Sequence, residues 1–521
     1  MGLDKMDSLI GKLFIIGFNG RFAEEDFLPR YRWIPAAGVI LFGRNLGDPD
    51  QIRSLTATIE AAGEEAHGIP PFIGIDQEGG NLSPLRGFVA SLPGNMGLAA
   101  TGEISAAHYA GRKTAEELRE LGFNLVFAPV LDLATNPANP VIGTRAFSDD
   151  PEIVAAFGEA FARGLMEGGV AFTAKHFPGH GSCREDSHVT LPFSTVARAS
   201  LWEKDLRPFR KVLGLPGASV MTAHVRYAAL DLENPATLSA KIIRDLLRRE
   251  MGFDGVVITD DLEMGAIRSL WPPAEAAVKA IEAGADLVLI CHTFADQLAA
   301  FEAVKTAVTK GRLSMDRIEE SVDRLARWRE RSRSTMQGGR FTVAAEWTPL
   351  TLAEKVVTFV GEPSGWPFDR SPLVVIEPEY RAATPAETPG DLGPLFAALA
   401  ESSVPFASLH CSLDPDPAEI AALVEAIGAK GCGRLLLVLR RAIHHPGQRL
   451  LASRLAALSR LLVVSLDDPR EIAFLGEDFS GVCVYSSAPS VLTALARVLC
   501  GELSPRGRLP VRLGSTLESG I

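Results

Sequence analysis

The sequence has few cysteines, and none of them stands in the spacing typical of zinc sites or dense disulfide frameworks. The six cysteines are scattered along 521 residues without a Cys-x-x-Cys pair. A disulfide-stabilised secreted domain is therefore disfavoured, and reduced thiols in the cytoplasm fit better. These cysteines are Cys183, Cys291, Cys411, Cys432, Cys483 and Cys500.

The chain also lacks a membrane span, a secretion signal and a basic tract. Its apolar runs are all well short of the ~18 residues that cross a bilayer. The apolar patch near the N-terminus is interrupted by Asp4, Asp7 and the segment 17–20, which does not fit a signal peptide. The formal charge is −12, so the positive surface that nucleic-acid-binding proteins use is missing. We expect a cytoplasmic protein without membrane or nucleic-acid partners.

What the first 300 or so residues do contain is a regular succession of short apolar runs. Such runs, rich in Val, Ile and Phe, are typical of strands buried on both faces. Helix-like segments such as 103–121 and 150–169 stand between most of them, and several end at glycine. The pattern predicts a (β/α)8 TIM-type barrel, with a doubly wound open sheet as the competing arrangement. The eight runs are 14–18, 38–42, 72–76, 124–133, 170–174, 219–225, 255–260 and 285–291.

A second α/β region follows the charged helical segment 314–332. It has about five apolar runs separated by helical segments, which predicts a smaller three-layer α/β sandwich. We place the barrel in residues 1–345 and the second domain in residues 346–521. Neither G-x-G-x-x-G nor a P-loop motif is present, so we expect no nucleotide cofactor.

Polar residues stand where the predicted barrel strands end. These are Asp76-Gln77-Glu78, Lys175-His176, His224 and Asp260-Asp261, each at the end of an apolar run. In a barrel these positions meet at one face, where the catalytic residues gather. A helix N-cap accounts for one aspartate of the pair Asp260-Asp261, so the other is a candidate nucleophile, base or metal ligand.

The segment "KHFPGHGSCREDSH" (175–188) is unusually rich in proton carriers. Pro178, Gly179 and Gly181 prevent a helix, so we expect a long loop over the barrel mouth. In it, Asp186 stands two residues before His188, a spacing that lets a carboxylate orient an imidazole and stabilise its protonated form.

Two other interpretations of this segment remain open at this point. Asp186 and His188 also fit an incidental ion pair on a surface loop. A metal cluster would use His176, His180, Asp186 and His188, but Pro178 breaks the helical spacing that such ligands need, and no H-E-x-x-H motif is present. We therefore predict no metal.

Taken together, the motifs resemble glycoside hydrolase family 3, and within it the β-N-acetylglucosaminidase (β-N-acetylhexosaminidase) branch. The resemblance runs from about residue 9 to the end of the chain, and the K-H-F-P-G-H-G…D-S-H segment carries most of its specificity. The other matching stretches, in the family's order, are "GVILFGRN", "IDQEGG", "FAPVLDLATNPANPVIGTRAF", "GFDGVVITDDLEM" and "VLCGELSPRGRLPVRL".

The resemblance implies a role for each matched residue. Asp260 would be the nucleophile, His188 the general acid and then base, and Asp186 the group that orients His188. Such a pair performs the double displacement of a retaining glycosidase, with histidine in place of the usual second carboxylic acid. The implied sugar-binding residues are Asp76, Arg145, Lys175 and His176.

One stretch departs from the family pattern. After "DQEGG" the branch commonly carries Arg-Val-x-Arg, whereas here Asn81 to Pro84 are followed by Arg86. We assign Arg86 to substrate binding as a partial replacement for the missing arginines.

The resemblance implies an exo-β-N-acetylglucosaminidase that removes terminal GlcNAc from peptidoglycan fragments. A β-N-acetylglucosaminide phosphorylase, a β-glucosidase and a non-catalytic sugar-binding protein are the alternatives. The sequence leaves open whether the second domain packs, dimerises or contacts the aglycone.

Overall fold

The first half of the chain forms a closed barrel of eight parallel strands. The computed structural model describes residues 5–335, 347–362, 372–382, 387, 390–430 and 434–514. Each strand pairs with the next along the chain, and the last pairs with the first. This closure confirms the predicted barrel and excludes the open sheet. The strands are β1 (Phe14–Ile16), β2 (Gly38–Ile40), β3 (Phe72–Ile75), β4 (Leu125–Val126), β5 (Ala171–Phe177), β6 (Ser219–Thr222), β7 (Val256–Asp261) and β8 (Leu287–Ile290).

Helices surround the barrel, and local sequence signals set their ends. The side chain of Asp48 accepts hydrogen bonds from the backbone of Asp50 and Gln51 at the start of one helix, which ends at Gly68 in the left-handed conformation. The barrel-domain helices of four or more residues are Lys5–Gly11, Phe27–Tyr31, Pro49–His67, Asn95–Ala100, Ile104–Glu120, Pro151–Gly168, Leu201–Asp205, Leu206–Val212, Lys241–Glu250, Gly265–Arg268, Pro273–Ala283, Phe294–Thr309 and Met315–Thr335.

The second domain is built on a six-stranded sheet. Five strands are parallel, as the apolar runs predict. A sixth, antiparallel strand, β9, lies at one edge of the sheet. The sequence does not predict it, because three residues are too few to stand out as an apolar run. The order in the sheet is β9-β14-β13-β12-β10-β11. The strands are β9 (Thr358–Val360), β10 (Leu373–Pro378), β11 (Phe406–Cys411), β12 (Arg434–Leu439), β13 (Arg460–Ser465) and β14 (Gly481–Cys483).

The helices of the second domain pack in two groups, as a three-layer sandwich requires. One group contains Pro349–Glu354, Gly393–Glu401 and Pro489–Leu499. The other contains Pro417–Lys430, Gly447–Ala456 and Arg470–Leu475.

Two features considered in the sequence lie outside the described residues. The predicted domain boundary between 345 and 346 lies outside them, and so does Cys432. None of the five described cysteines forms a disulfide. Within the described ranges, no helix is both long and apolar enough to cross a bilayer.

The two domains share apolar packing and hydrogen bonds. Barrel-domain residues such as Met96 and Ile142 belong to the same buried cluster as the second domain's sheet. The guanidinium of Arg470 donates to the backbone oxygen of Ala134 at 2.7 Å. The second domain is therefore fixed against the barrel face that holds the strand ends.

Two barrel helices, Ile104–Glu120 and Pro151–Gly168, approach each other closely at a glycine. A Cβ atom on Gly164 would lie 2.2 Å from the backbone oxygen of His108. We predict that Gly164→Ala destabilises the barrel by about 1–3 kcal/mol, because the added methyl group forces the helices apart. Thermal or urea unfolding would measure this change.

The matched control is Gly428→Ala on the exposed face of helix Pro417–Lys430, where a Cβ atom meets nothing within 4 Å. The same substitution there is expected to be neutral or stabilising by up to ~1 kcal/mol. An equal loss of stability in both variants would contradict the close-packing argument.

Candidate active site

A cleft of about 480 Å³ opens at the carboxyl ends of the barrel strands. Six of the eight residues that the sequence assigns to the site line this cleft. A seventh, Asp186, is hydrogen-bonded to one of these six, His188. The lining residues are Asp76, Leu82, Val141, Arg145, Lys175, His176, His180, Ser187, His188, Met221, Asp260 and Met264.

The two aspartates at the end of β7 have different surroundings. Asp261 performs a structural task, since its Oδ1 accepts hydrogen bonds from the backbone of Glu263 and Cys291. Asp260 instead lines the cleft, and its one described hydrogen bond comes from the Asp261 backbone at 2.8 Å. Burial raises the pKa of Asp260, but His224, His176 and Lys175 outweigh burial and hold the pKa below its ordinary value. Asp260 is therefore an ionised carboxylate that faces the cleft.

The loop that carries His188 is hydrogen-bonded to the chain just after Asp260. The backbone N–H groups of Gly265 and Ala266 donate to the backbone oxygens of His188 and Ser187, at 3.0 and 3.1 Å. The predicted loop over the barrel mouth is thus present, and these two hydrogen bonds bring His188 to the rim of β7.

Asp186 and His188 form the pair expected from their spacing. Asp186 Oδ1 accepts hydrogen bonds from both Nδ1 and the backbone N–H of His188, each at 2.8 Å. The side chains are 25% and 28% exposed, so the imidazole remains accessible to a ligand. Burial raises the pKa of Asp186, but the hydrogen bonds from His188 lower it overall. An ionised Asp186 accepts the hydrogen bond of His188 Nδ1–H and stabilises the protonated imidazole. Nε2 is then the ring nitrogen that can contact a ligand in the cleft.

Glu78, a buried carboxylate at the end of β3 to which the sequence assigns no role, organises one side of the cleft. Glu78 accepts two hydrogen bonds from Arg145, at 2.9 and 3.0 Å, and contacts Lys175 Nζ at 2.6 Å. Lys175 Nζ also donates to Asp76 at 2.6 Å. Burial raises the pKa of Glu78, but the two cations lower it to about 2. Its signal in the sequence was its position two residues after Asp76 at the end of β3.

Asp132 is a buried carboxylate that the sequence pattern does not single out. It accepts a hydrogen bond from His176 Nδ1 at 2.7 Å and another from the backbone N–H of His180 at 2.6 Å. The ring of His176 is thereby fixed, with Nε2 3.5 Å from an Arg145 nitrogen. Asp132 stands in "VLDLA" after β4, at the strand ends where polar residues were sought.

The remaining two histidines of the site differ from each other. His224 is buried and hydrogen-bonded at both ring nitrogens, to Thr237 and to the backbone oxygen of Asp261, so its role is structural. His180 is also buried and lines the cleft, yet neither ring nitrogen has a partner among the described residues. Burial lowers the pKa of His180 to about 4, so its imidazole is neutral at pH 7.

Arg86 lies at the interface between the domains and does not line the cleft. It donates to the backbone oxygen of Gly80 at 2.6 Å and to Ser487 of the second domain at 3.3 Å. Its neighbour Asn81 also bonds to the second domain, through Asp467 and Ser487. The sugar-binding role assigned to Arg86 has no support in this placement. The loop turns toward the second domain because these polar partners lie there.

The described residues offer no group of three or more His, Cys, Asp and Glu side chains arranged to hold a metal. Of the three histidines in the metal-cluster hypothesis, His176 bonds to Asp132 and His188 bonds to Asp186.

The residues from 6 to 328 match the model of the glycosyl hydrolase family 3 N terminal domain. The chain belongs to glycosyl hydrolase family 3. A β-hexosaminidase of Alkalilimnicola ehrlichii is 43% identical over 263 residues, which are 49% of this chain and 73% of that protein. β-Hexosaminidase A of Pseudoalteromonas piscicida is 35% identical over 327 residues, which are 58% of this chain but only 54% of that protein.

A solved family 3 structure resembles the whole chain. The family 3 β-N-acetylglucosaminidase of Paenibacillus sp. str. FPU-7 has a TM-score of 0.90 and 36% identity, and the match covers 99% of this chain and all of that one. Both domains of the present family 3 protein, and not the barrel alone, therefore have a counterpart.

We predict that Glu78→Gln lowers the free energy of unfolding of this family 3 protein by about 3 kcal/mol at pH 7, because Arg145 and Lys175 lose their shared buried counter-charge. The pKa of Glu78 is lowered to about 2. Its contribution is therefore fully present above the ordinary glutamate pKa and is lost as the pH falls toward 2. Urea unfolding of both proteins at several pH values measures the difference.

The control is Glu425→Gln, which removes the same charge from the exposed face of helix Pro417–Lys430. It is expected to change stability by less than about 0.5 kcal/mol. If Glu78→Gln is no less stable than this control at pH 7, Glu78 does not hold the two cations as described.

Proposed function

We propose that the protein is a retaining exo-β-N-acetylglucosaminidase that releases a terminal GlcNAc residue through a covalent glycosyl-enzyme. One observation carries this proposal. The loop bearing His188 is hydrogen-bonded to the turn that follows Asp260, so that an ionised carboxylate and a carboxylate-supported imidazole line the same cleft. The relatives named β-hexosaminidase and β-N-acetylglucosaminidase support the choice of sugar.

In the first step, a carboxylate oxygen of Asp260 attacks the anomeric carbon of the sugar. The bond from that carbon to the aglycone oxygen breaks, and the departing oxygen takes the Nε2 proton of His188. His188 must enter this step as the imidazolium, which the ionised Asp186 stabilises through Nδ1. The products of the step are the free aglycone, a neutral imidazole and a sugar ester on Asp260.

In the second step, water attacks the same carbon and His188 recovers the proton. The neutral imidazole removes one proton of the water as the new carbon–oxygen bond forms, and the ester bond to Asp260 breaks. Two inversions at one carbon give net retention of the β configuration. The lowered pKa of Asp260 keeps the carboxylate ionised for its attack and favours its departure when the ester bond breaks.

The Glu78 network is the proposed grip on the sugar. Glu78 holds Arg145 and Lys175 in place, and Lys175 in turn contacts Asp76. Fixed donors and acceptors of this kind position hydroxyl groups without the entropic cost of ordering free side chains. We assign Asp76, Arg145, Lys175 and the Nε2 edge of His176 to the terminal GlcNAc.

Three further points remain predictions from the sequence. These are peptidoglycan fragments as the source of the substrate, a cytoplasmic location and dimerisation.

An experiment distinguishes hydrolysis from phosphorolysis. The cleavage of an aryl GlcNAc substrate is followed with and without phosphate, and the sugar product is identified. Free GlcNAc under both conditions is the expected result.

The first prediction of this mechanism concerns the nucleophile. Asp260→Asn is expected to lower kcat for an aryl β-GlcNAc substrate by at least about a thousandfold, since an amide is a poor nucleophile toward the anomeric carbon. The neighbouring Asp261→Asn is the matched control, because an amide oxygen can still accept the backbone hydrogen bonds that Asp261 accepts. Comparable losses in both variants would remove the reason to choose Asp260.

The second prediction concerns the acid. His188→Ala is expected to slow a substrate with an alkoxide leaving group, such as di-N-acetylchitobiose, by about 10²–10⁴-fold. A p-nitrophenyl β-GlcNAc substrate needs little protonation of its leaving group, so its glycosylation step is expected to suffer far less. Steady-state kinetics with both substrates measure how much the substitution lowers the rate of each. An equal decrease for the two substrates would exclude His188 as the acid.

A further inference from the structure

A buried carboxyl group that the proposed mechanism does not use lies against the start of the loop 178–188 (the catalytic loop). Asp205 ends the helical turn Leu201–Asp205 and is 5% exposed. Among the described residues, no Lys, Arg or His forms an ion pair with it, and the only N–H group that bonds to its carboxyl group is its own. A buried carboxylate without partners is costly. These surroundings therefore favour the neutral acid.

The side chain of Asp205 packs against the first turn of the catalytic loop. A Cβ atom on Gly179 would lie 3.0 Å from Asp205 Cβ and 3.1 Å from Oδ1, so the glycine leaves just enough room for the carboxyl group. The φ angle of Gly179 is 126°, which other residues rarely adopt. The hydroxyl group of Tyr227 donates to the backbone oxygen of the same glycine at 2.7 Å. Two buried side chains thus hold the turn at Gly179.

Asp132 holds the next residue of the same turn, but its partners differ from those of Asp205. Asp132 accepts hydrogen bonds from the backbone N–H of His180 and from the ring of His176, at 2.6 and 2.7 Å. Burial raises the pKa of Asp132, but His176 and these hydrogen bonds lower it overall. The turn therefore contacts one buried carboxylate that has donors and one buried carboxyl group that lacks them.

The ionisable groups around Asp205 leave it as the one among them that changes charge between pH 4 and pH 7. Burial raises the pKa of Asp205 to about 7, and the charge of Asp132 adds to the increase. Burial also raises the pKa of Cys183 and Tyr227, which stay neutral, whereas Asp132 stays ionised. The neighbouring Lys204 is exposed and opposes the increase only weakly.

We propose that Asp205 is a positioning residue for the catalytic loop, which it holds firmly as a neutral acid and loosens as a carboxylate. The inference rests on the proposed function, since it takes the loop to deliver His188 to the cleft. A carboxylate at Asp205 favours an arrangement in which the turn at Gly179 moves and water reaches the charge. His188 stands at the far end of this loop, so its position at the cleft depends on the turn.

The direction of the pH dependence follows from the two states of the turn. The pKa of Asp205 is about 7 when the turn is closed and returns to its ordinary value of 3.8 when water reaches the carboxyl group. The closed turn is therefore most stable below about pH 4, loses stability as the pH rises to 7 and changes little above it. Since the two pKa values differ by about 3, the opening constant can rise at most about a thousandfold.

Amide hydrogen exchange measures the opening of this turn without any substrate. The backbone N–H groups of Gly179, His180 and Cys183 are hydrogen-bonded to His176, Asp132 and His180, respectively. Their exchange, corrected for the intrinsic effect of pH, is followed from about pH 4.5 to 7.5 by mass spectrometry of peptides that cover residues 176–188. In the wild-type protein we expect the opening constant to rise by about tenfold or more over this range.

Asp205→Asn is expected to abolish this rise, because an amide has the size of the neutral acid and cannot ionise. His180, whose pKa is about 4, is present in both proteins, so the difference between them belongs to Asp205. If the amide variant does not fold, Asp205→Ser, which is smaller and also uncharged, takes its place. The matched control is Asp323→Asn on the exposed face of helix Met315–Thr335, which is expected to keep the wild-type rise.

Kinetics connect the turn to the reaction. We measure kcat/KM for p-nitrophenyl β-GlcNAc over the same pH range in the wild-type protein and in Asp205→Asn. The ratio of the variant to the wild-type protein is expected to be near one at the acidic end and to rise by about threefold or more at the neutral end, because only the wild-type loop loosens. The ionisation of His188 affects both proteins and cancels in the ratio.

The outcomes separate the inference from the proposed function. No turnover of p-nitrophenyl β-GlcNAc by the wild-type protein would overturn the proposed function, while hydrogen exchange would still show whether Asp205 holds the turn. The same pH dependence of exchange in the wild-type protein and in Asp205→Asn would overturn the inference. A kcat/KM ratio that does not change with pH would also overturn it, because Asp205 would then stabilise the turn without positioning His188.

Discussion

A buried carboxylate, Asp132, anchors the segment on which the site is built. Its two oxygens accept hydrogen bonds from the ring and backbone of His176 and from the backbone of His180. Leaving such a charge unpaired would cost several kcal/mol, so the start of the loop is held in one place. From this anchor the chain crosses the barrel mouth to His188, where two backbone hydrogen bonds tie it to the turn after Asp260. The proposed acid and nucleophile face one cleft because both ends of the loop are fixed.

Much of this architecture follows from local sequence. Eight apolar runs separated by helices predict the barrel, and in a parallel barrel the residues after each strand meet at one face. That rule brings Asp76, Lys175 and Asp260 together without knowledge of any contact. It does not say which acids pair with which cations, because those pairings join residues far apart in the chain. Glu78 therefore stands in the sequence only as a strand-end residue without a role, and Asp132 is not singled out at all, although both follow a strand as the rule requires.

The position of Arg86 also depends on contacts between residues far apart in the chain. Arg86 was assigned to the sugar as a partial replacement for the arginines that the family pattern carries after "DQEGG". The loop instead turns toward Ser487 and Asp467 of the second domain, which bond to Arg86 and Asn81. The same contacts help to close a cavity between the domains. The cavity between the domains is not visible in the sequence of the second domain, which predicts an α/β sandwich and nothing about what it faces.

The most direct test of the account is to trap the covalent intermediate and locate it. A 5-fluoro analogue of GlcNAc with a good leaving group slows departure from the enzyme, so the sugar ester accumulates and can be mapped by mass spectrometry of proteolytic peptides. We predict one added sugar per chain, attached to Asp260 and removed as activity returns. Steady turnover of that analogue with the label on another residue, or with no covalent adduct at all, would contradict it.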